Sequence, residues 1–288
     1  MWPVATIKAI APAKVNLTLH VTGQRADGYH LLDSLVVFAD VADQLGATMA
    51  PDLRITVSGP FADGVPTDHR NLMMRAADAL RRGRGVTQGA ALTLEKHLPH
   101  AAGIGSGSSD AAVTLAMLAE LWGVPPLPAT APEVLALGAD VPVCLAAPNP
   151  IRMSGIGETL SPVAALPRCA LVLVRPSVDL PTTAVFKAMP GKDGTPMTPL
   201  PAGLNFDGFA HWLAAQRNDL QAPAEGLAPE IGQAIAKLKS LPSVQVTGMS
   251  GSGATCFGLV KDMATARQVA RIVQVSQMGW WVAPAAIL

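Results

Sequence analysis

The chain is short of charge and carries no excess of either sign: 15% of its 288 residues are charged, and 21 Lys and Arg balance 21 Asp and Glu. With no basic run, bulk electrostatics gives no reason to expect nucleic acid or an anionic membrane surface, and a small molecule is the expected partner. Cysteine is equally scarce. Cys144, Cys169 and Cys256 are odd in number, scattered through apolar strand-like stretches and without a C-x-x-C pair, so they read as reduced core residues of a cytosolic protein. No segment approaches the ~18 apolar residues of a spanning helix. The start, Met-Trp-Pro-Val-Ala-Thr-Ile-Lys, lacks a charged region followed by an apolar block, and a cytoplasmic location is expected. Two phosphate-binding signatures are also missing. Counted from Gly103, a G-x-G-x-x-G pattern needs glycine where Ser108 stands, and no G-x-x-x-x-G-K-[ST] occurs, which excludes a Rossmann fingerprint and a Walker A loop.

What the chain does have is apolar bulk, 50% of its residues, enough for one large core or for two of roughly 130 to 160 residues each. Its most informative stretch is Pro99-His100-Ala101-Ala102-Gly103-Ile104-Gly105-Ser106-Gly107-Ser108-Ser109-Asp110, which runs directly into the apolar segment 111–122. Alternating glycines let the backbone turn with its N–H groups inward, and Ser-Ser-Asp is strong helix N-cap chemistry. Free N–H groups and the positive end of a helix dipole favour phosphate there, with serine hydroxyls as further donors. In isolation the same residues also suit an ordinary turn before a core helix.

Period-2 alternation predicts a strand over 15–21, with Lys14 and Asn16 on its polar face, and a second strand over 31–38 after a turn at Asp27-Gly28. Tyr29 and His30 then sit at the turn exit. Further strands are predicted over 53–57 and 91–95, with helices over 71–82 and 109–122. Thr130-Ala131-Pro132-Glu133 has the pattern of a capping box opening a short helix that Gly138 closes. Asp140 follows in the apolar setting Gly-Ala-Asp-Val-Pro, where an unpaired carboxylate would be costly, so it needs a cationic partner, a capping role or a chemical job. A domain boundary is placed near residue 160, giving domains 1–160 and 161–288. The second half reads as strands over 170–174, 244–247, 255–260 and 280–283, with helices over 181–189, 206–216, 229–241 and 263–274. Between two of those strands lies a second glycine-rich turn, Gly248-Met249-Ser250-Gly251-Ser252-Gly253. Two such loops in one neutral chain are best explained by one polyphosphate held from both domains.

Three motifs in this order, Pro-Ala-Lys-Val-Asn-Leu at 12–17, the glycine loop at 99–110 and the turn at 248–253, resemble those of the GHMP kinases, the galactose, homoserine, mevalonate and phosphomevalonate kinase superfamily. The resemblance covers nearly the whole chain. It implies an α+β two-domain fold, with an N-terminal domain like domain 2 of ribosomal protein S5 and a ferredoxin-like C-terminal domain. The implied activity is transfer of the γ-phosphoryl of ATP, with Mg²⁺, to an alcohol. The stretches 22–30, 138–142 and 155–158 resemble those of the members that act on 4-diphosphocytidyl-2-C-methyl-D-erythritol, and the resemblance implies that alcohol as the acceptor.

In that reading Asp140 accepts the hydroxyl proton and Lys14 keeps it ionised. The loop residues 99–110, together with Asn71 and Lys96, bind ATP. His30 hydrogen-bonds the cytosine edge, Tyr29 and Phe186 stack on its faces, and Asn16, Thr182, Gly251 and Ser252 contact the rest of the substrate. No residue is assigned as a metal ligand, and a monomer or weak homodimer is expected. Ala101 and Ala102 stand where the family usually has glycine, so a positive φ there would cost about 1 kcal/mol or more. Two rivals remain: a homoserine or sugar kinase on the same scaffold, which has no use for Tyr29 and His30, and a nucleotide-binding sensor without catalysis, which would be expected to lack Lys14 or Asp140.

Overall fold

A computed structural model describes residues 6–191 and 193–288. In chain order its elements are β1 (Thr6–Asn16), β2 (His20–Gln24), β3 (His30–Ala50), β4 (Arg54–Ser58), α1 (Leu72–Arg84), β5 (Gly89–Glu95), α2 (Ser106–Trp122), α3 (Pro132–Leu135), α4 (Asp140–Cys144), β6 (Ile151–Gly155), β7 (Thr159–Pro162), β8 (Ala170–Arg175), α5 (Thr182–Ala188), α6 (Phe206–Ala214), α7 (Gln221–Leu227), α8 (Pro229–Lys239), β9 (Val246–Met249), β10 (Cys256–Val260), α9 (Met263–Ser276) and β11 (Trp281–Ala286). They group into two compact units. One holds residues 6–13, 41–100 and 105–147; the other holds 14–40, 101–104 and 148–288.

In the first unit the latter part of β3 pairs antiparallel with β5, from Gln44 opposite Glu95 to Ala50 opposite Gly89, and β4 adds to β5 in parallel. Helix α1 begins at an Asn71 cap whose side chain accepts from the Met73 N–H, and it ends at Gly85 in the left-handed region, φ 65°. Its apolar side, with Met73, Ala76, Ala77 and Leu80 buried, packs with α2, in which Ala111, Ala112, Leu115 and Leu118 are buried. Alanines at these positions let the helices approach closely. Helix α4 packs on α2 as well.

In the second unit the early part of β3 pairs with β6, Leu32 opposite Gly155 and Val36 opposite Ile151, and β6 turns back into β7. A separate four-stranded antiparallel sheet has the order β11-β8-β10-β9. Helices follow the first and third of its strands in chain order, a β-α-β-β-α-β pattern of ferredoxin-like type. Its core gathers Val172, Val174, Ile231, Leu238, Cys256, Val269 and Val273, all essentially inaccessible. Each such side chain contributes about 1.5–3 kcal/mol by burial.

Several sequence expectations shift in register. The strand expected over 15–21 is instead the end of β1 and the start of β2, and its supposed polar face is buried: Lys14, Asn16, Thr18 and His20 are each no more than 3% exposed. Alternation marks two faces but does not say that the polar one meets water. Strand β3 is 21 residues long rather than eight, because it serves both units. The Thr130 capping box does not form; Ala131 occupies the cap of α3, without a side-chain bond. Among the described residues no helix is long and apolar enough to cross a membrane.

Candidate functional site

The glycine loop enters α2 through Gly105, which takes a left-handed conformation at φ 59°, ψ 24°. The helix therefore starts at Ser106, three residues earlier than the sequence suggests, and Ser108, Ser109 and Asp110 lie inside it rather than capping it. The first ladder bond runs from the Ser109 N–H to the Gly105 carbonyl, 2.8 Å. That leaves the N–H groups of Ser106, Gly107 and Ser108 with no intrahelical acceptor, at the positive end of a 17-residue helix. No side chain caps them, Gly107 is exposed, and a Cβ added to it would meet nothing within 4 Å. Such an end can receive an anion. The Ser106 hydroxyl is turned to the Pro99 carbonyl at 3.4 Å, whereas Ser109 Oγ is buried without a hydrogen-bond partner. Within the loop Pro99 is buried and His100 exposed.

Residues 101–104 belong to the second unit, where the other glycine-rich turn holds them. Ser250 Oγ donates to the Gly103 carbonyl at 2.8 Å and accepts from the Asn16 N–H at 3.0 Å. The Thr255 N–H reaches the Ala102 carbonyl at 3.1 Å, and the Lys14 N–H reaches Ile104 at 2.9 Å. Contact is close enough to require glycine at 103: a Cβ there would stand 2.5 Å from the Ser250 carbonyl oxygen, and one on Gly251 would stand 3.0 Å from the Gly103 carbonyl oxygen. Ala101 does adopt a positive φ, 51°, so the strain that its replacement of glycine implied is present. Asn218, absent from the sequence reading, donates to the carbonyls of Met249 and Gly251 at 2.7 and 2.9 Å and fixes the turn. Its only signal was a polar residue in the unpatterned run Arg217-Asn218-Asp219.

In the same unit Asn16 donates to Ser34 Oγ at 2.8 Å, and its carbonyl Oδ1 is buried with no hydrogen-bond partner. His30 stacks on Phe186 with ring centroids 4.8 Å apart and planes at 27°. Tyr29 is 60% exposed. Thr182 and Ser252 share a hydroxyl–hydroxyl bond of 2.8 Å. A cavity of about 670 Å³ in this unit is lined by Asp33, Arg152, Ser154 and Met197 among others, and by none of the residues predicted for the site. There Asp33 accepts two bonds from Arg152 and one from the Met197 N–H, which ties down the segment after α5.

In the first unit Asp140 is the first residue of α4, half-buried, where the sequence suggested a turn. Asn71 spends both ends of its amide on the start of α1, accepting from Met73 and donating to the Pro66 carbonyl. Lys96 Nζ lies 2.5 Å from Asp43 Oδ2 and 2.6 Å from Asp110 Oδ2, with all three side chains almost wholly buried. Burial, and then the charge of Asp43, push the Asp110 carboxyl up to about 7 against the pull of Lys96. The carboxylates beside the loop are thus committed to Lys96, and among the described residues no group of three or more His, Cys, Asp or Glu is arranged to hold a metal. Thiol chemistry is remote as well, since burial raises Cys169 to about 11 and Cys256 further.

A left-handed glycine leading into an uncapped helix start is an arrangement that can receive a phosphate group. The N-terminal domain model of the GHMP kinases matches residues 71–147 and their C-terminal model matches 204–277. The chain belongs to the GHMP kinases. Among its relatives, 4-diphosphocytidyl-2-C-methyl-D-erythritol kinase of Jannaschia sp. (strain CCS1) is 52% identical over 285 residues, 99% of this chain and 98% of that protein. The protein of the same name from Cereibacter sphaeroides (strain ATCC 17029 / ATH 2.4.9) is 53% identical, covering 96% of this chain and 98% of the relative. A crystal structure of 4-(cytidine 5'-diphospho)-2C-methyl-D-erythritol kinase is 32% identical, with a TM-score of 0.80, over 97% of this chain and 99% of that one. Homoserine kinase from Cytophaga hutchinsonii, at 14% identity and a TM-score of 0.70, shares the fold.

Proposed function

We propose that this protein transfers the γ-phosphoryl group of ATP to the 2-hydroxyl of 4-diphosphocytidyl-2-C-methyl-D-erythritol. The observation that carries the phosphoryl-transfer reading is the start of α2 behind left-handed Gly105, an anion receptor that no side chain caps among the described residues. The choice of alcohol is supported by relatives of that name at about half identity over nearly the full length.

Phosphoryl transfer asks little covalent help of an enzyme: the hydroxyl must be aligned, the spreading charge stabilised and one proton removed. Asp140 takes that proton, and Lys14 keeps the carboxylate ionised and offsets the charge growing on the attacking oxygen. The first-turn N–H groups of α2 hold the phosphates, and the stacked His30–Phe186 pair receives the cytosine. The unpartnered Oδ1 of Asn16 is a ready acceptor for a substrate hydroxyl. When bound, Mg²⁺ would supply positive charge to the ATP phosphates. Two buried thiols, at Cys144 and Cys256, and a formal net charge of zero suit an enzyme of the cytoplasm acting on small molecules, and a monomer or weak homodimer is proposed.

The test is a coupled assay of ADP release with the diphosphocytidyl alcohol, homoserine and mevalonate as acceptors. Turnover with the first alone is expected. Equal or greater kcat/KM with either of the others would overturn the choice of substrate.

A further inference from the structure

Asp43, Lys96 and Asp110 place two carboxylates on one ammonium in a site closed to water. Their side chains are 0%, 3% and 4% exposed, and the two Nζ–O distances are 2.5 and 2.6 Å. Fully ionised, the cluster would hold one net negative charge without solvent, a state that burial penalises heavily. The two acids are not equivalent. Asp43 Oδ1 accepts the N–H groups of His97 and Leu98 at 2.6 and 2.8 Å, bonds that favour its ionised form. Asp110 has no such support: its Oδ1 is buried with no hydrogen-bond partner. It also sits in the second turn of α2, directly behind the N–H groups that would meet phosphate.

We propose that Asp110 keeps a proton that it shares with Asp43, and that the resulting neutral cluster with Lys96 positions the start of α2 for an incoming polyphosphate. Strand β3, the end of β5 and the opening of α2 are thereby pinned at one point, with no fixed negative charge behind the cradle. Loss of the proton places a charge there that opposes phosphate, so nucleotide affinity weakens as pH rises while the chemical step is left alone. Lys96 and Asp43 are the charged groups bonded to Asp110, and the His97 ring pairs with Glu95 instead. Of the helices packed on α2, α1 carries its charges, among them Arg75, Asp78 and Arg81, at exposed or half-exposed positions, and α4 contributes Asp140. The shift of Asp110 to about 7 agrees with this assignment. Lys96, Asp43 and Asp110 are thus positioning residues, and this role rests on the kinase reading above only for the identity of the anion.

Two measurements separate the proposal from that reading. Carbon-13 titration of the assigned aspartate carboxyls in the wild-type protein should find Asp110 titrating near neutrality. Asp110 ionised down to pH 5 overturns the shared proton, whether or not the protein binds ATP. Calorimetric titration with ATP is then run from pH 6 to 8.5 on wild type and Asp110→Asn, which keeps the shape of the protonated acid. The nucleotide's own ionisation is common to both and cancels in the ratio. The wild-type to variant Kd ratio should rise by about five- to tenfold over that range, as expected if bound phosphate raises the Asp110 pKa by about one unit. A flat ratio overturns the clamp while leaving the kinase intact, whereas a protein that binds no ATP at any pH refutes the kinase reading instead.

Discussion

Gly107→Ala is expected to make the protein more stable and a worse ATP binder at once. Gly107 lies in the first turn of α2, its φ is that of the helix, and a Cβ built on it meets no heavy atom within 4 Å. Replacing glycine by alanine in a helix adds about 0.5–1 kcal/mol of stability. The space the methyl enters is the side of the helix start from which a phosphate would reach the N–H groups. Displacing it by even one methyl radius forfeits one charge-assisted hydrogen bond of about 1.5–3 kcal/mol, so Kd for ATP should rise by about tenfold to 150-fold. Gly103→Ala supplies the contrast. Its Cβ would lie 2.5 and 2.6 Å from the carbonyl oxygens of Ser250 and Gly253, at φ +73°, so stability should fall by about 2 kcal/mol or more. Urea unfolding and calorimetry on both variants make the comparison. A Gly107→Ala protein with unaltered ATP affinity would refute the assignment of the α2 start as the cradle.

Other outcomes follow from single residues. Asp140→Asn should lower kcat by about 10² to 10⁴ with ATP affinity nearly unchanged, as for loss of a positioned base; a drop under about fivefold in steady-state assays removes Asp140 from that role. His30→Ala should blur the preference for cytidine over uridine forms of the substrate, while Tyr29→Ala weakens both alike, read as kcat/KM ratios; unchanged ratios in both variants would show that His30 does not read the base. His20 is buried, with Nδ1 bonded to the Thr195 carbonyl and Nε2 accepting from the Arg217 N–H. Burial above all lowers its pKa below 6.5, so the unfolded chain binds the proton more readily, and stability present above pH 6.5 is lost as pH falls through the folded value. Thermal unfolding of wild type and His20→Gln should therefore converge below pH 6; parallel curves would contradict it.

Most of the elements were legible because their apolar periods are strong, as in α1, α8 and α9. The candidate loop stood out because its glycine and serine chemistry is local, yet the start of α2 was misread. Ser-Ser-Asp is good capping chemistry, and only the left-handed turn at Gly105 reveals that the helix has already begun. Asn71, read as a nucleotide contact, also proves to be the cap of α1. Asp43 was invisible, lying in the ordinary run Ala-Asp-Val-Ala-Asp-Gln far from Lys96 in sequence. Asn218 and Ser250 were missed or underused for the same reason: a residue that acts by bonding distant carbonyls leaves no periodic trace. The antiparallel order β11-β8-β10-β9 depends on long-range pairing that strand patterns alone do not encode.

The measurement that bears most directly on the central claim is phosphorus NMR of the product formed from ATP and 4-diphosphocytidyl-2-C-methyl-D-erythritol by wild type and Asp140→Asn. The account predicts ADP and one new phosphomonoester, attached at the 2-oxygen, with the wild type, and almost none with the variant in the same time. A monoester at another oxygen, equal product with the variant, or ADP and free phosphate alone would contradict it.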